Sequence, residues 1–315
     1  MLRIRDFLET QEGLIFSSVS YFHSKDRYHA YLRYYPDKSG ERGRGGRRYA
    51  KASSTAAAEE YLRENYPIYV DDRGQWVPKD RVVRIYRPDD RLREIMREPR
   101  DELEEKVQKL SQFFSEIPDE KKGVTGSLLV KLHSAGSDID FVVYGIKNHT
   151  RAREILEELF KNGAVKELSE KEWRRVYEKR FPKEKTLAFQ EFLWHEKRKN
   201  HRGIIDGTIF DILLVREPNE LGRMAEGRLM VGEAVLRCRI IDASLAYDSP
   251  AVYRVRFEDG TEGELCSYTH TYAGQALPEE LVEARGILEV TERDEMRLVI
   301  GTTREAEGEY IKVIH

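Results

Sequence analysis

The sequence predicts a multi-domain α+β protein. A β-rich amino-terminal region spans residues 1–99, a mixed-sheet α/β domain spans 100–229, and a small carboxy-terminal β-barrel spans 230–315. Three observations predict this. At 315 residues the chain holds two or three domains of ordinary size. Helix and strand signals alternate through the middle, whereas short strands between turn residues fill the last third. Charge divides at the same places: the net is +4 over residues 1–99, +1 over 100–229 and −8 over 230–315.

The elements follow in order. Residues 13–22 are dense in aliphatic and aromatic side chains, and 29–35 resume after the polar break 24–27, so the start is strand-rich. The segment PDKSGERGRGGRRYAK (36–51) follows; its glycines argue against regular structure, leaving a solvated loop or a flexible basic arm that touches phosphates. Ser54 can cap a helix over 55–65. Pro67, Pro78 and Pro88 then punctuate a linker-like stretch. Leu103, Val107 and Leu110 mark a helix over 100–114, stopped by Pro118. The middle predicts a short helix over 127–132, a buried strand over 139–144, a helix over 152–160 and a strand over 208–215. Strands are expected last at 234–241, 251–257, 264–267, 282–290, 297–300 and 310–314.

Composition excludes several classes. Charged residues make up 35% and apolar ones 40%, so the chain is globular rather than disordered. Dense charge of both signs is the pattern of thermophile surfaces rich in ion pairs. No apolar run approaches the roughly 18 residues of a membrane helix. The start, MLRIRDFLETQEG, meets Asp6 and Glu9 before a signal-peptide core forms. Cys238 and Cys266 are too few for a disulfide framework and too far apart for a zinc knuckle, so the reducing cytoplasm is the expected compartment.

The stretch TGSLLVKLHSAGSDIDFVVYG (125–145) carries the chemistry. Gly126 and Ser127 open an apolar helical segment, where backbone amides favour phosphate and a glycine permits close approach. Asp138 and Asp140 are two apart at the entry to an apolar strand, so both carboxylates share one face. Oxygen ligands at fixed separation suit Mg²⁺ that shares its other positions with water and phosphates. A third carboxylate is expected on a neighbouring strand, and TIFDILLV (208–215) supplies Asp211, an acid whose burial is costly unless a metal or other partner holds it. Asp206 is the rival, as a turn aspartate before Gly207. Two metals about 4 Å apart on such acids activate a hydroxyl and stabilise a leaving pyrophosphate.

Gly-Ser, a gap of about ten residues, Asp-x-Asp in an apolar strand and a later aspartate together resemble the DNA polymerase beta-like nucleotidyltransferase superfamily. The match covers about residues 100–216, and SDIDFVVYG looks like the form in uncharacterised archaeal members. The resemblance implies a small mixed sheet with helices on one side, two Mg²⁺ ions and transfer of a nucleoside monophosphate from a triphosphate (ATP or another) to a hydroxyl. Asp138, Asp140 and Asp211 would be catalytic and metal-binding, and Gly126 and Ser127 would bind the triphosphate.

The segment HEKRKNHRG (195–203) leads toward the Asp211 strand with Lys197, Arg198, Lys199 and Arg202 against Glu196. It is either a solvated turn or a clamp for phosphate; Lys197, Arg198 and Arg202 are the candidate contacts. Arg151 and Arg153 are weaker candidates for the same work. His133 lies on a helix end, where a satisfied polar contact is the plain explanation. The last 86 residues, with about five strands and a helix-like interlude at 268–280, look like an OB-fold, a barrel that binds single-stranded nucleic acid. Alternation puts Arg237, Arg239, Arg254 and Arg256 on one outer face, as a phosphate-tracking stripe or, better suited to the −8 balance, in cross-strand ion pairs with Glu262 and Glu264.

The expected function is Mg²⁺-dependent nucleotidyl transfer to a hydroxyl acceptor, with tRNA-like RNA favoured by the positive amino-terminal region, the basic segment and the barrel. Two alternatives remain: a non-catalytic nucleic-acid-binding module on the same fold, or transfer to a protein or small-molecule hydroxyl. No membrane partner is expected.

Overall fold

The computed structural model describes residues 2–71, 74–222, 225–301 and 306–314. It is a multi-domain α+β protein. Met1–Ile155 and Gly203–Val215 form one compact unit; Leu156–Arg202 and Arg216–His315 form another. The boundaries expected after residues 99 and 229 do not coincide with these units. Across residue 99 a core is shared: Phe7, Ile15, Tyr34 and Tyr49 of the amino-terminal strands pack with Leu129, Val130 and Leu132, which follow Gly126 and Ser127.

In the first unit, eight of the described strands join one sheet, ordered Arg42–Arg44, Arg47–Lys51, Arg27–Pro36, Ile15–Ser18, Phe7–Thr10 and Val82–Tyr86. Gly74–Pro78 pairs with the start of Arg27–Pro36, and Val70–Asp71 pairs beyond it. The Gly/Arg segment is therefore a hairpin rather than an irregular loop. Gly45 and Gly46 both adopt positive φ (+56° and +77°), which a two-residue hairpin turn of right-handed twist demands. The expected linker at 67–88 is likewise structured. Pro78 ends a strand and Pro88 begins the helix Pro88–Arg97, a position where its missing N–H costs no bond. Ser54 caps Thr55–Asn65 as expected, its side chain accepting from Ala57 N, and Asp101 caps Glu102–Phe113.

A second sheet of the first unit is ordered Arg202–Ile205, Thr208–Val215, Ile139–Tyr144 and Lys122–Val124. Ile139–Tyr144 runs parallel to Thr208–Val215 and antiparallel to Lys122–Val124. Both expected strands appear at the expected residues, since continuous apolar runs suit strands buried on both faces. The Gly-Ser segment is a single turn, Gly126–Leu129, shorter than the helix expected to Leu132.

The second unit contains the helices Glu170–Arg180 and Phe189–Lys197, which sequence patterning did not mark. Trp173, Tyr177, Phe181 and Phe192 pack between them. The carboxy-terminal strands Gly227–Leu245, Ala251–Phe257, Glu262–Ser267, Leu281–Thr291 and Met296–Ile300 close a ring in the order first, second, third, fifth, fourth, with the fourth returning to the first. The third and fifth are parallel, the other pairs antiparallel, and Tyr310–Val313 lies on the fourth. Tyr253, Val255, Leu265, Val282, Leu298 and Ile300 fill the interior. The expected interlude after the third strand is one 3-10 turn, His270–Tyr272.

Candidate active site

The register of the parallel strands sets the site. Asp140 of Ile139–Tyr144 stands directly opposite Asp211 of Thr208–Val215, so the two backbones lie about 4.8 Å apart with like charges side by side. Both acids are half-buried, and Asp138, one residue ahead of the strand, is exposed. Burial pushes the Asp140 carboxyl above its usual range, and Asp211 and Asp138 push the same way, against Arg5 and Arg33.

The turn before the acids is fitted to them. Thr125 N donates to Asp140 O at 2.9 Å, which ties Gly126 to the acid strand. Gly126 has φ +68°, and a Cβ there would fall 2.1 Å from Asp140 Oδ2. Glycine is required on both counts: only it adopts this backbone freely, and only it leaves space above the carboxylate. The structure thus brings Gly126, Ser127, Asp138, Asp140 and Asp211 into one place.

Asp140 and Asp211, opposed across parallel strands beside a cradle that any other side chain would fill, are oxygen donors of the type a hard divalent cation takes. Asp206 stands apart from them. It occupies the two-residue turn with Gly207, at φ +44°, and its carboxylate takes Lys109 Nζ at 2.7 Å.

Residues that sequence reasoning did not link to the acids come from the amino-terminal sheet. Arg5 accepts at its carbonyl from Thr125 Oγ1 (2.7 Å) and donates from Nε to Leu214 O (3.5 Å). The register of Ile15–Ser18 on Arg27–Pro36 slips between Ile15 and Phe16, leaving Arg33 as the extra residue. That β-bulge puts Arg33 within electrostatic reach of Asp140. These meetings span more than a hundred residues of chain, and no local pattern announces them.

Asp101, Glu104 and His133 form a different cluster, their ligand-type atoms within 4.8 Å of one another. Each has a structural partner. Asp101 caps its helix and takes His133 Nε2 at 2.7 Å, while Glu104 is buried against Arg91 and accepts from Arg100 N.

Lys197 and Arg198 fall in the second unit, and Arg202 stands at its boundary, as the first residue of the strand Arg202–Ile205. Lys197 is an exposed residue of the helix Phe189–Lys197, so the expected basic loop begins as helix. Arg198 grips Glu280, stacks on Trp194 and donates to Gln275 O. Arg202 lies over Trp173. On the ring, Arg254 and Arg256 pair with Glu262, as the ion-pair alternative expects, but Glu264 pairs with Arg297 and Arg237 with Glu283.

A family model described as nucleotidyltransferase domain matches residues 80–201. The chain is also 41% identical to the uncharacterized protein MJ1086 of Methanocaldococcus jannaschii, over 99% of both chains. This chain belongs to the nucleotidyltransferase domain family. The matched span holds Gly126, Ser127, Asp138 and Asp140 and ends ahead of Asp211. Membership implies nucleotidyl transfer in general, with a nucleoside triphosphate as substrate and a divalent metal. No solved structure matches the chain. Among the described residues no helix is long and apolar enough to cross a membrane.

Proposed function

We propose that the chain is a Mg²⁺-dependent nucleotidyltransferase that moves a nucleoside monophosphate from a nucleoside triphosphate to a hydroxyl of a tRNA-like RNA, in the cytoplasm. The observation that carries this is the opposition of Asp140 and Asp211 beneath the Gly126 cradle. Asp138 and Asp140 would hold two Mg²⁺ ions and Asp211 would complete the site. Bound there, Mg²⁺ supplies neutralisation of phosphate charge and a more acidic acceptor hydroxyl.

The chain's own groups do the rest. The amides of Gly126 and Ser127 bind phosphate oxygens, and Arg5 and Arg33 offset charge at the reacting phosphate. Asp211 helps take the proton as the acceptor oxygen bonds to the α-phosphorus. The α–β phosphoanhydride bond then breaks and pyrophosphate leaves. Lys197, Arg198 and Arg202 are the second unit's candidates for phosphate, Lys197 being the exposed one. An RNA acceptor is supported by the net charge of +4 over residues 1–99. It is supported too by the closed five-stranded ring of the carboxy-terminal region, which we read as an OB-like barrel.

The test supplies Mg²⁺, each α-labelled triphosphate in turn and total RNA, beside an Asp138→Ala/Asp140→Ala control. Label is expected in RNA only with the intact acids. Label in the protein or in small molecules would replace the acceptor, and no label in any pool would remove the transferase reading.

A further inference from the structure

The hairpin of residues 42–51 has no role in the function just described, yet two of its arginines reach the connection between Gly126–Leu129 and the acid strand. Arg42 Nη1 donates to Leu132 O at 2.6 Å and to Ser137 Oγ at 3.5 Å. Arg44 Nη1 donates to Val130 O at 3.3 Å and to Tyr86 OH at 2.8 Å, while its Nη2 grips Glu9 at 2.6 Å. The guanidinium of Arg44 also lies over the rings of Tyr49 and Tyr86, so it is fixed before it meets Val130.

The connection needs fixing. Ser134, Ala135, Gly136 and Asp138 are exposed, and Lys131 takes a positive φ of +56°. The start of the connection is tied by Lys131 N to Leu128 O, Leu132 N to Ser127 O, Lys131 Nζ to Glu94 and His133 Nε2 to Asp101, whereas the bonds of Ser134 run to Ser137 within the turn. Arg42 bridges the two ends of this turn, and Asp138 is the residue that follows.

We propose that Arg42, supported by Arg44, is a positioning residue of the acid site: the hairpin clamps the Leu132–Ser137 turn and thereby fixes where Asp138 presents its carboxylate. The inference rests on the acids being the metal site. Both bonds leave one nitrogen, Nη1, whose two N–H groups lie in the guanidinium plane, so a single rigid group holds both acceptors. Groups that orient a metal ligand without touching the metal typically account for 10–100-fold in affinity or activity, roughly the scale expected here.

The experiment follows Arg42→Gln and Ser137→Ala beside the unaltered chain by two readouts besides turnover. One is Mn²⁺ binding by electron paramagnetic resonance; the other is amide hydrogen exchange resolved over residues 127–140. Arg42→Gln is expected to weaken Mn²⁺ binding about tenfold or more and to speed exchange in the turn alone. Turnover should fall about a hundredfold, with the triphosphate KM changed less than about threefold. Ser137→Ala, which removes one acceptor and no charge, should shift the same quantities by less. Methylguanidine added to Arg42→Ala should restore part of the loss.

Equal Mn²⁺ affinity in Arg42→Gln and the unaltered chain overturns the positioning role while leaving the transferase reading intact. An unaltered chain that binds no Mn²⁺ removes the metal-site reading, and this inference with it. If Arg42→Gln loses exchange protection throughout, Ser137→Ala decides: unchanged Mn²⁺ affinity there overturns the proposal.

Discussion

Two carboxylates in this chain are held in opposite ways. Asp140, in the first unit, is opposed by Asp211, and burial together with that neighbour raises its pKa. Glu196, in the second unit, is buried too, but Lys199 Nζ lies 2.5 Å from it and Arg180 3.8 Å away. Burial opposes its ionisation; Lys199, Arg180 and Arg202 more than offset this and hold it at about 2. A buried carboxylate bonded to the protein's own cations is a structural part. For Asp140 burial and a second carboxylate outweigh Arg5 and Arg33, and under the proposed function the remaining positive charge comes from Mg²⁺. On that reading the difference separates scaffold from site in a chain that is 35% charged.

The largest expected effect tests the first half of the comparison. Asp140→Asn should lower transfer at least about a thousandfold, close to 4 kcal/mol of barrier. It should leave the apo fold as stable or more so, because a like-charge opposition is relieved. Mg²⁺ at a hundred times its Kd should stabilise the unaltered chain by about 2.7 kcal/mol and the variant hardly at all. Thermal melts with and without Mg²⁺ measure both. A full Mg²⁺ shift in the variant would break the comparison.

Glu196→Gln should do the reverse, leaving Lys199 buried beside a neutral amide. Urea unfolding should report a loss of about 3–5 kcal/mol, with the Mg²⁺ response retained. The pH dependence has a definite sign. The folded value of about 2 lies below the ordinary 4.5, so this part of the stability is present above pH 4.5 and is lost as pH falls toward 2. The variant should lack that loss between pH 4.5 and 2.

How much of this was legible depended on the range of the signal. The acid strand and the Asp211 strand could be read to the residue, because continuous apolar runs with a carboxylate inside are local patterns. The hairpin at 42–51 was missed although Gly45-Gly46 is a hairpin signal, since arginines rather than β-branched residues form its strands. The stretch 67–88 reads as a linker because prolines interrupt regular structure; in the fold they end a strand and begin helices. Helices Glu170–Arg180 and Phe189–Lys197 were missed because their buried faces are aromatic and interrupted by charge. Arg5 and Arg33 reach Asp140 only through packing, and Arg33 only through a bulge, so neither could be read from neighbours in sequence.

The smallest expected effect sharpens the comparison within the carboxy-terminal ring. Arg297 is 3% exposed and bonds Glu264, Glu289 and Ala225 O. Arg256 is about half exposed and pairs with Glu262, which Arg254 shares at 3.5 Å. Arg256→Gln should therefore change stability by less than about 0.5 kcal/mol, because solvent screens an exposed pair and Arg254 still faces the acid. Arg297→Gln should cost several times more, since it leaves two carboxylates without their buried partner. Denaturant unfolding of the two variants measures the ratio. RNA binding across a salt series separates the remaining roles of the outer arginines. If Glu262 already neutralises Arg256, the dependence of log K on log salt should not move in Arg256→Gln; a slope smaller by about one would make that arginine a phosphate contact. The first result keeps the ring's outer charge in the same class as Glu196, held by partners the chain supplies itself.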